Sequence, residues 1–416
     1  MRPQVPAQRG YRPMTADLGR ETVEAYLRQA IGGDGRAGVR LALDLIDNGV
    51  PSSDVIVNLL AAAQREVGER WLANQWTVAE EHLASGVSQK ALDAVAHTIE
   101  PPAATGFIVV ACAEGDWHSL PAQMFAEMLR AQGFTVAFLG ASTPADHVAD
   151  FLSRQRPDAL AVSCNLPLFF GGVTRLVDAA HRQDIPVLAG GRALGHRPLR
   201  AARLGADAWA PGIGGAVAVL RSWQHQPPRV SAEPTPFKTA AVQLDFSAAE
   251  IAGQALESLS VGYPPMASCN QDQLARAEED LADITRFTAA ALLVSDAAVL
   301  TEMLDWLRTF LDNRDVPALA LNTWLRALAP VIRRTNPAAA QLVLDAIRDE
   351  PAVVTPGGRG LRRGRGRPGR AGRRRRRRRR RRSQAASWSG RTGRWRSRRW
   401  RGRSQPRGRG RRRAGR

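Results

Sequence analysis

The chain has 416 residues and a formal net charge of +20, from 59 Lys plus Arg against 39 Asp plus Glu. Residues 356–416 hold 29 of those basic residues, all Arg, and no acid, so the remaining 355 residues carry 30 basic against 39 acidic groups, a net charge of −9. The body is mildly acidic and long enough for two or three cored domains, which excludes the basic nucleic-acid-binding body that the pooled charge suggests.

Residues 1–19 read as a poorly ordered N-terminus. Residues 20–100 read as four helical segments. Leu41, Leu43, Leu45 and Ile46, then Val55, Leu59, Leu60 and Ala63, follow spacings near three and four, and Asp47-Asn-Gly-Val-Pro51 is a break. Trp71 ends one helix. Thr77 with Glu80 fits a capping box, so the next helix starts near Thr77 and carries Glu81-His82.

Five apolar, strand-like runs follow, at 106–112, 134–139, 158–164, 185–189 and 207–210. Helix-length segments separate them, among them Ala122–Gln132, Pro144–Arg154 and Val173–Gln183. Strands alternating with helices imply βαβ units and a parallel sheet. Residues 105–222 thus suit an α/β flavodoxin-like domain with a doubly wound five-stranded parallel sheet, preceded by the four-helix cap.

Residues 223–243, with Gln226-Pro-Pro-Arg and Glu233-Pro-Thr-Pro-Phe, read as a linker. Residues 244–350 are helical again. Leu304, Leu307, Phe310 and Leu311 share one helix, and Leu321, Trp324, Leu325 and Leu328 the next, with Pro317 and Pro337 at helix starts. Trp306 and Trp324 are expected in its core. This all-α region has no catalytic constellation, and is an output or dimerisation unit or a passive appendage.

Residues 356–416 include ten consecutive arginines, Arg373–Arg382, with Trp388, Trp395 and Trp400 among further Arg and Gly. Such a composition cannot bury a core and is expected to be disordered. Two readings stand. Clustered cations and aromatics suit a clamp on RNA, DNA or an anionic membrane. The same composition also arises when a GC-rich coding region is translated out of frame, which the abrupt change after Val354-Thr355 favours.

Cys112, Cys164 and Cys269 form no Cys-x-x-Cys pair, which argues against a zinc ribbon and a secreted disulfide scaffold. No long apolar run suggests a membrane span, and Met1-Arg-Pro-Gln-Val-Pro lacks a signal-peptide core, so the expected location is cytoplasmic. His97, His147, His181, His196 and His225 lack metal-ligand spacing and read as surface or loop residues.

The chemistry concentrates where strands end. Asp116 and His118 lie in the loop after the first strand, Cys112-Ala-Glu-Gly-Asp-Trp-His-Ser-Leu-Pro121, where open α/β sheets bind ligands. A histidine there can offer one ring nitrogen to a metal while a carboxylate two residues away takes its other N–H. The third strand ends in Ser163-Cys-Asn-Leu166 and the fourth in Gly190-Gly191-Arg192. The Gly pair is either an ordinary turn or a point of close backbone approach. Pro211-Gly-Ile-Gly-Gly215 is another rim loop or a turn.

The Asp116 loop resembles the Asp-x-His-x-x-Gly signature of cobalamin-binding domains, with Pro121 in place of the last Gly. Residues 68–85 resemble the helical cap that precedes those domains. Trp71, nine intervening residues and then Glu81-His82 are similar to the cap of light-sensing regulators that bind adenosylcobalamin. The resemblance spans residues 20–222. It implies that His118 is the lower axial ligand of cobalt, that Ser163, Leu166, Gly190 and Gly191 line the groove for the cofactor's nucleotide tail, and that Trp71, Glu81 and His82 face the upper side. The serine motif has an extra residue before Leu166.

The resemblance implies a cobalamin-binding sensor, with adenosylcobalamin favoured over methylcobalamin, that acts through a regulatory protein partner or self-association. The alternative is a corrinoid methyl carrier working with separate methyltransferases. Polyanion binding rests on the Arg-rich tail alone, so nucleic acid is a partner only if that tail is genuine.

Overall fold

A computed structural model describes residues 18–230, 237–314 and 319–348. The expected disordered N-terminus, apart from its last residues, and the Arg-rich tail lie outside the described residues, as does Pro317.

The first unit is helical: α1 (Gly19–Ile31), α2 (Gly35–Asp47), α3 (Ser52–Asp54), α4 (Ala62–Leu72) and α5 (Val78–Ala96). A π-helical stretch, Val55–Ala61, joins α3 to α4 without a break, so the unit has four rods. Asp34 caps α2 by accepting from the Arg36 and Ala37 amides. Thr77 and Glu80 form the expected capping box at the start of α5, and the backbone bond from Thr77 holds the Glu80 carboxyl below its usual range. The core contains Tyr26, Leu27, Leu59, Leu60 and Leu92, all fully buried. Met124 and Met128 of the following domain join it and seat the cap on the sheet domain.

The sheet domain runs β1 (Gly106–Cys112), α6 (Ser119–Ala131), β2 (Phe134–Phe138), α7 (Ala145–Gln155), β3 (Ala159–Ser163), α8 (Phe170–His181), β4 (Val187–Gly190), α9 (Leu199–Arg203), β5 (Ala208–Trp209) and α10 (Ile213–His225). The strands are parallel, in the order β2-β1-β3-β4-β5. This is the doubly wound flavodoxin-like arrangement, whose switch point lies between β1 and β3. Alternate residues of β1 serve opposite faces. Ile108, Val110 and Cys112 pack with α6 and α10, while Val109 and Ala111 pack with α8 and the C-terminal helices.

The all-α region comprises α11 (Lys238–Phe246), α12 (Ala248–Gly262), α13 (Gln271–Val294), α14 (Ala298–Asp312), α15 (Leu319–Arg333) and α16 (Pro337–Asp345). It starts earlier than expected: α11 occupies residues assigned to the linker, because its polar-looking sequence still buries Ala241 and Leu244. Pro337 opens α16 as expected, whereas Pro330 lies within α15. Trp324 is buried, but Trp306 is 37% exposed and so is not the core residue expected. No described helix is long and apolar enough to cross a membrane.

Candidate functional site

The register of the sheet brings the candidate loops together. Cys112 pairs with Ser163 and Ser163 with Gly190, so the loops after β1, β3 and β4 leave the same edge side by side. Asp116 is fully buried among them. Its Oδ1 accepts from the His118 amide at 3.0 Å and from the His118 ring Nδ1 at 2.6 Å. Its Oδ2 accepts from the Asn165 amide at 2.8 Å. The Asn165 side chain donates to the His118 carbonyl at 3.2 Å. The Ser142 amide, from the loop after β2, donates to the Asp116 carbonyl at 3.0 Å. The buried carboxylate thus ties the histidine to the loop after β3, across the switch point, while the Asp116 backbone carbonyl holds the loop after β2.

His118 stands at the start of α6 with its side chain 29% exposed. Asp116 is placed to accept from Nδ1, the arrangement in which an imidazole turns Nε2 toward a metal. Burial pushes the Cys112 thiol up to about 12, and the charge of Asp116 adds to it. The same two causes hold the Cys164 thiol well above its ordinary range. Neither thiol competes as a thiolate ligand. Among the described residues no group of three or more His, Cys, Asp and Glu could hold a metal ion.

The glycine pair is divided between two roles. Gly190 ends β4. Gly191 has φ +106, and a Cβ there would run into the Cys164 backbone. The close approach that forbids a side chain at Gly191 is thus between two rim loops. Gly115, with φ +94, likewise leaves room for the Phe169 ring, 2.9 Å from where its Cβ would be. Leu166 precedes the short turn Pro167–Phe169 and accepts from the Cys164 thiol at 3.3 Å through its carbonyl.

On the cap side, Glu81 closes the first turn of α5 and His82 follows it, with His82 Nε2 3.2 Å from Glu81 Oε2. Ser85 Oγ lies 2.9 Å from Glu81 Oε1 and 3.1 Å from Gln64 Oε1. Gln64 donates to Ser88 at 2.9 Å, as Tyr26 does at 3.1 Å. Trp71 ends α4, but its indole is engaged by the C-terminal region: it stacks on Trp306 with ring centroids 5.8 Å apart and lies 5.4 Å from Phe310. His181, expected at the surface, instead has a side chain 7% exposed and pairs with Asp207 at 2.9 Å.

Three contributors escaped the sequence reading. Asn165 carried a signal, a polar residue just past a strand, but its partner lies 49 positions away. Ser142 and Phe169 carried none. Trp306, Phe310 and Arg314, spaced by four, form a visible stripe whose partner was not.

Residues 106–218 match the model of the B12 binding domain, and residues 22–96 match a second model of the same description. Among curated proteins, the HTH-type transcriptional repressor CarH of Myxococcus xanthus is 31% identical over 155 residues, 36% of this chain and 51% of that protein. CarA of the same organism, also an HTH-type transcriptional repressor, is 34% identical over 131 residues, 30% of this chain and 43% of that protein. The chain therefore spans about half the length of the curated relatives it matches. Among solved structures, the monomethylamine corrinoid protein of Methanosarcina barkeri is 21% identical with a TM-score of 0.41, covering 49% of this chain and 96% of that one. A cobalamin-binding protein of Desulfitobacterium hafniense DCB-2 is 24% identical with a TM-score of 0.27, covering 48% and 98%. With the two family matches lying on the helical unit and on the five-stranded domain, residues 22–218 belong to the cobalamin-binding domain family with a helical cap.

Proposed function

We propose that this chain is a regulatory sensor that binds adenosylcobalamin with His118 as the lower axial ligand and responds to light. The observation that carries the reading is the buried Asp116 holding His118 at the switch point, in a chain whose cap carries Trp71 near the end of α4 and Glu81-His82 near the start of α5. Asp116 orients the imidazole. Ser163, Leu166, Gly190 and Gly191 border the path of the nucleotide tail. Trp71 packs against the upper group, and Glu81 steadies His82 beside it. Bound adenosylcobalamin supplies a Co–C bond that light breaks, and the protein supplies orientation. The names of CarH and CarA, both transcriptional repressors, support regulation over catalysis.

The test is to titrate the chain with adenosylcobalamin and with methylcobalamin in the dark, then illuminate, following the absorption spectrum and the hydrodynamic size. The expected result is a histidine-ligated adenosylcobalamin complex whose size changes in light. Equal binding of methylcobalamin with one size throughout would transfer the site to a methyl carrier served by separate methyltransferases.

A further inference from the structure

Helix α14 touches both halves of the cobalamin-binding region. At its N-terminal end, Asp296 and Glu302 accept from the Arg200 guanidinium at 2.8 and 2.9 Å. Arg200 also donates to the Ala193 carbonyl at 3.1 Å, and the Ala193 amide donates to the Cys164 carbonyl at 3.1 Å. This joint reaches the rim loops where Gly191 packs. The Arg200 side chain is 7% exposed.

At the other end, Trp306 and Phe310 lie one turn apart and stack on each other; Trp306 stacks on Trp71 of the cap, and Phe310 meets it at a tilt of 40°. Arg314, a further turn on, sits 3.6 Å over the Phe310 ring and donates to the Trp71 carbonyl at 3.2 Å. Asn313 donates to the Leu72 carbonyl at 3.0 Å. These donors satisfy carbonyls at the end of α4, where the helix dipole favours a cation. A helix of 15 residues, about 22 Å long, thus runs from the rim of the sheet domain to the end of a cap helix.

We propose that α14 is an internal read-out of the upper side of the site. Its docking on Trp71 and the packing of Trp71 against a bulky upper group of a bound corrin are alternatives. The second releases the C-terminal end of α14 from the cap, while Arg200 retains the N-terminal end. This rests on Trp71 being the contact for the upper group. The indole meets two rings, so turning it toward a ligand removes both contacts at once and leaves this end of α14 held to the cap by the Asn313 and Arg314 bonds to backbone carbonyls. The break falls there because the Arg200 joint is forked and charge-assisted about a buried guanidinium, whereas the other end rests on aromatic contacts made by Trp306, which is 37% exposed.

Hydrogen exchange on the full chain tests this, in the dark, with adenosylcobalamin and with hydroxocobalamin, whose upper group is small. Amides of residues 303–314 are expected to exchange about tenfold faster with adenosylcobalamin, those of 296–302 to stay protected, and hydroxocobalamin to change neither. By linkage, Trp306→Ala is expected to bind adenosylcobalamin about five- to tenfold more tightly and hydroxocobalamin equally. If Trp306→Ala fails to fold, exchange on the natural chain decides. Adenosylcobalamin binding with unchanged or slower exchange at 303–314, or weaker binding by a folded Trp306→Ala, overturns the proposal and leaves the sensor reading standing. A chain that binds hydroxocobalamin but not adenosylcobalamin overturns the sensor reading, and this one with it.

Discussion

Asp116 is fully buried and bonded both to His118 and to the loop on the far side of the switch point, whereas His82, in the cap, is 75% exposed and pairs with its neighbour Glu81. The lower side of the proposed site is held by its own hydrogen bonds, on loops anchored to strands whose register is set by the sheet. The residues proposed for the upper side lie near the ends of two cap helices, and the Trp71 indole packs on a third helix, α14. Preorganisation below and exchangeable contacts above suit a cofactor gripped from one face and sensed from the other.

Removing His118 should break this comparison most severely. His118→Ala is expected to abolish the histidine-ligated absorption spectrum and to weaken cobalamin binding more than any change in the cap. Asp116→Asn should cost about ten- to hundredfold in affinity, as expected when the partner of a metal-bound imidazole is lost. The carboxylate meets three N–H donors. An amide offers one acceptor atom and turns its own NH2 toward the rest. An unchanged spectrum in His118→Ala would remove this histidine from the cobalt.

A smaller effect should come from alkali. Cys112 lies in the preset half, with its thiol raised from 9.0 to about 12 by burial and by Asp116. A raised acid contributes its stability in full below the unfolded value and loses it as the pH climbs through the folded one. The window therefore opens near pH 9 and closes near pH 12. At pH 10 the loss is about 1 kcal/mol, a few degrees in Tm. Cys112→Ala should flatten that part of the pH dependence. Over the same range, thiol reagents should label the half-buried Cys269 well before the buried Cys112 and Cys164. Rapid labelling of Cys112 in the folded chain would mean that the lower loops are not preset.

What was legible in the sequence divides along the same line. Asp116-x-His118 and the Thr77–Glu80 box are local: each joins residues two or three apart, so strand, loop and helix signals suffice to find them. Asn165 and Gly191 depend on β3 lying between β1 and β4, an order that alternation of apolar residues does not specify. Gly191 looked like a turn or a ligand contact, and the reason for it is the Cys164 backbone. Trp306 was assigned to a core because aromatic residues at helical spacing usually belong there. Its partner, Trp71, lies in another unit, and nothing in the local pattern of α14 names it. The helix α11 was hidden by nearby prolines, although Ala241 and Leu244 bury its inner face.

The smallest effect, and the sharpest test of the upper side, should be His82→Ala. Its ring is 75% exposed and its contact with Glu81 is between adjacent residues, so little packing is lost. In the dark, adenosylcobalamin affinity should stay within about twofold, a surface-substitution effect. After illumination the outcome should differ. The imidazole near the start of α5 is a nitrogen donor within the cap and, under the proposed function, the candidate second ligand once the upper group has left. The illuminated His82→Ala complex should therefore lack any spectral sign of a second histidine and should hold the photolysed cofactor less tightly than the natural chain. Natural chain and variant giving identical spectra after illumination would remove His82 from the response. A large loss of dark affinity would instead show that the upper side is as preset as the lower, and the contrast between the two sides would fail.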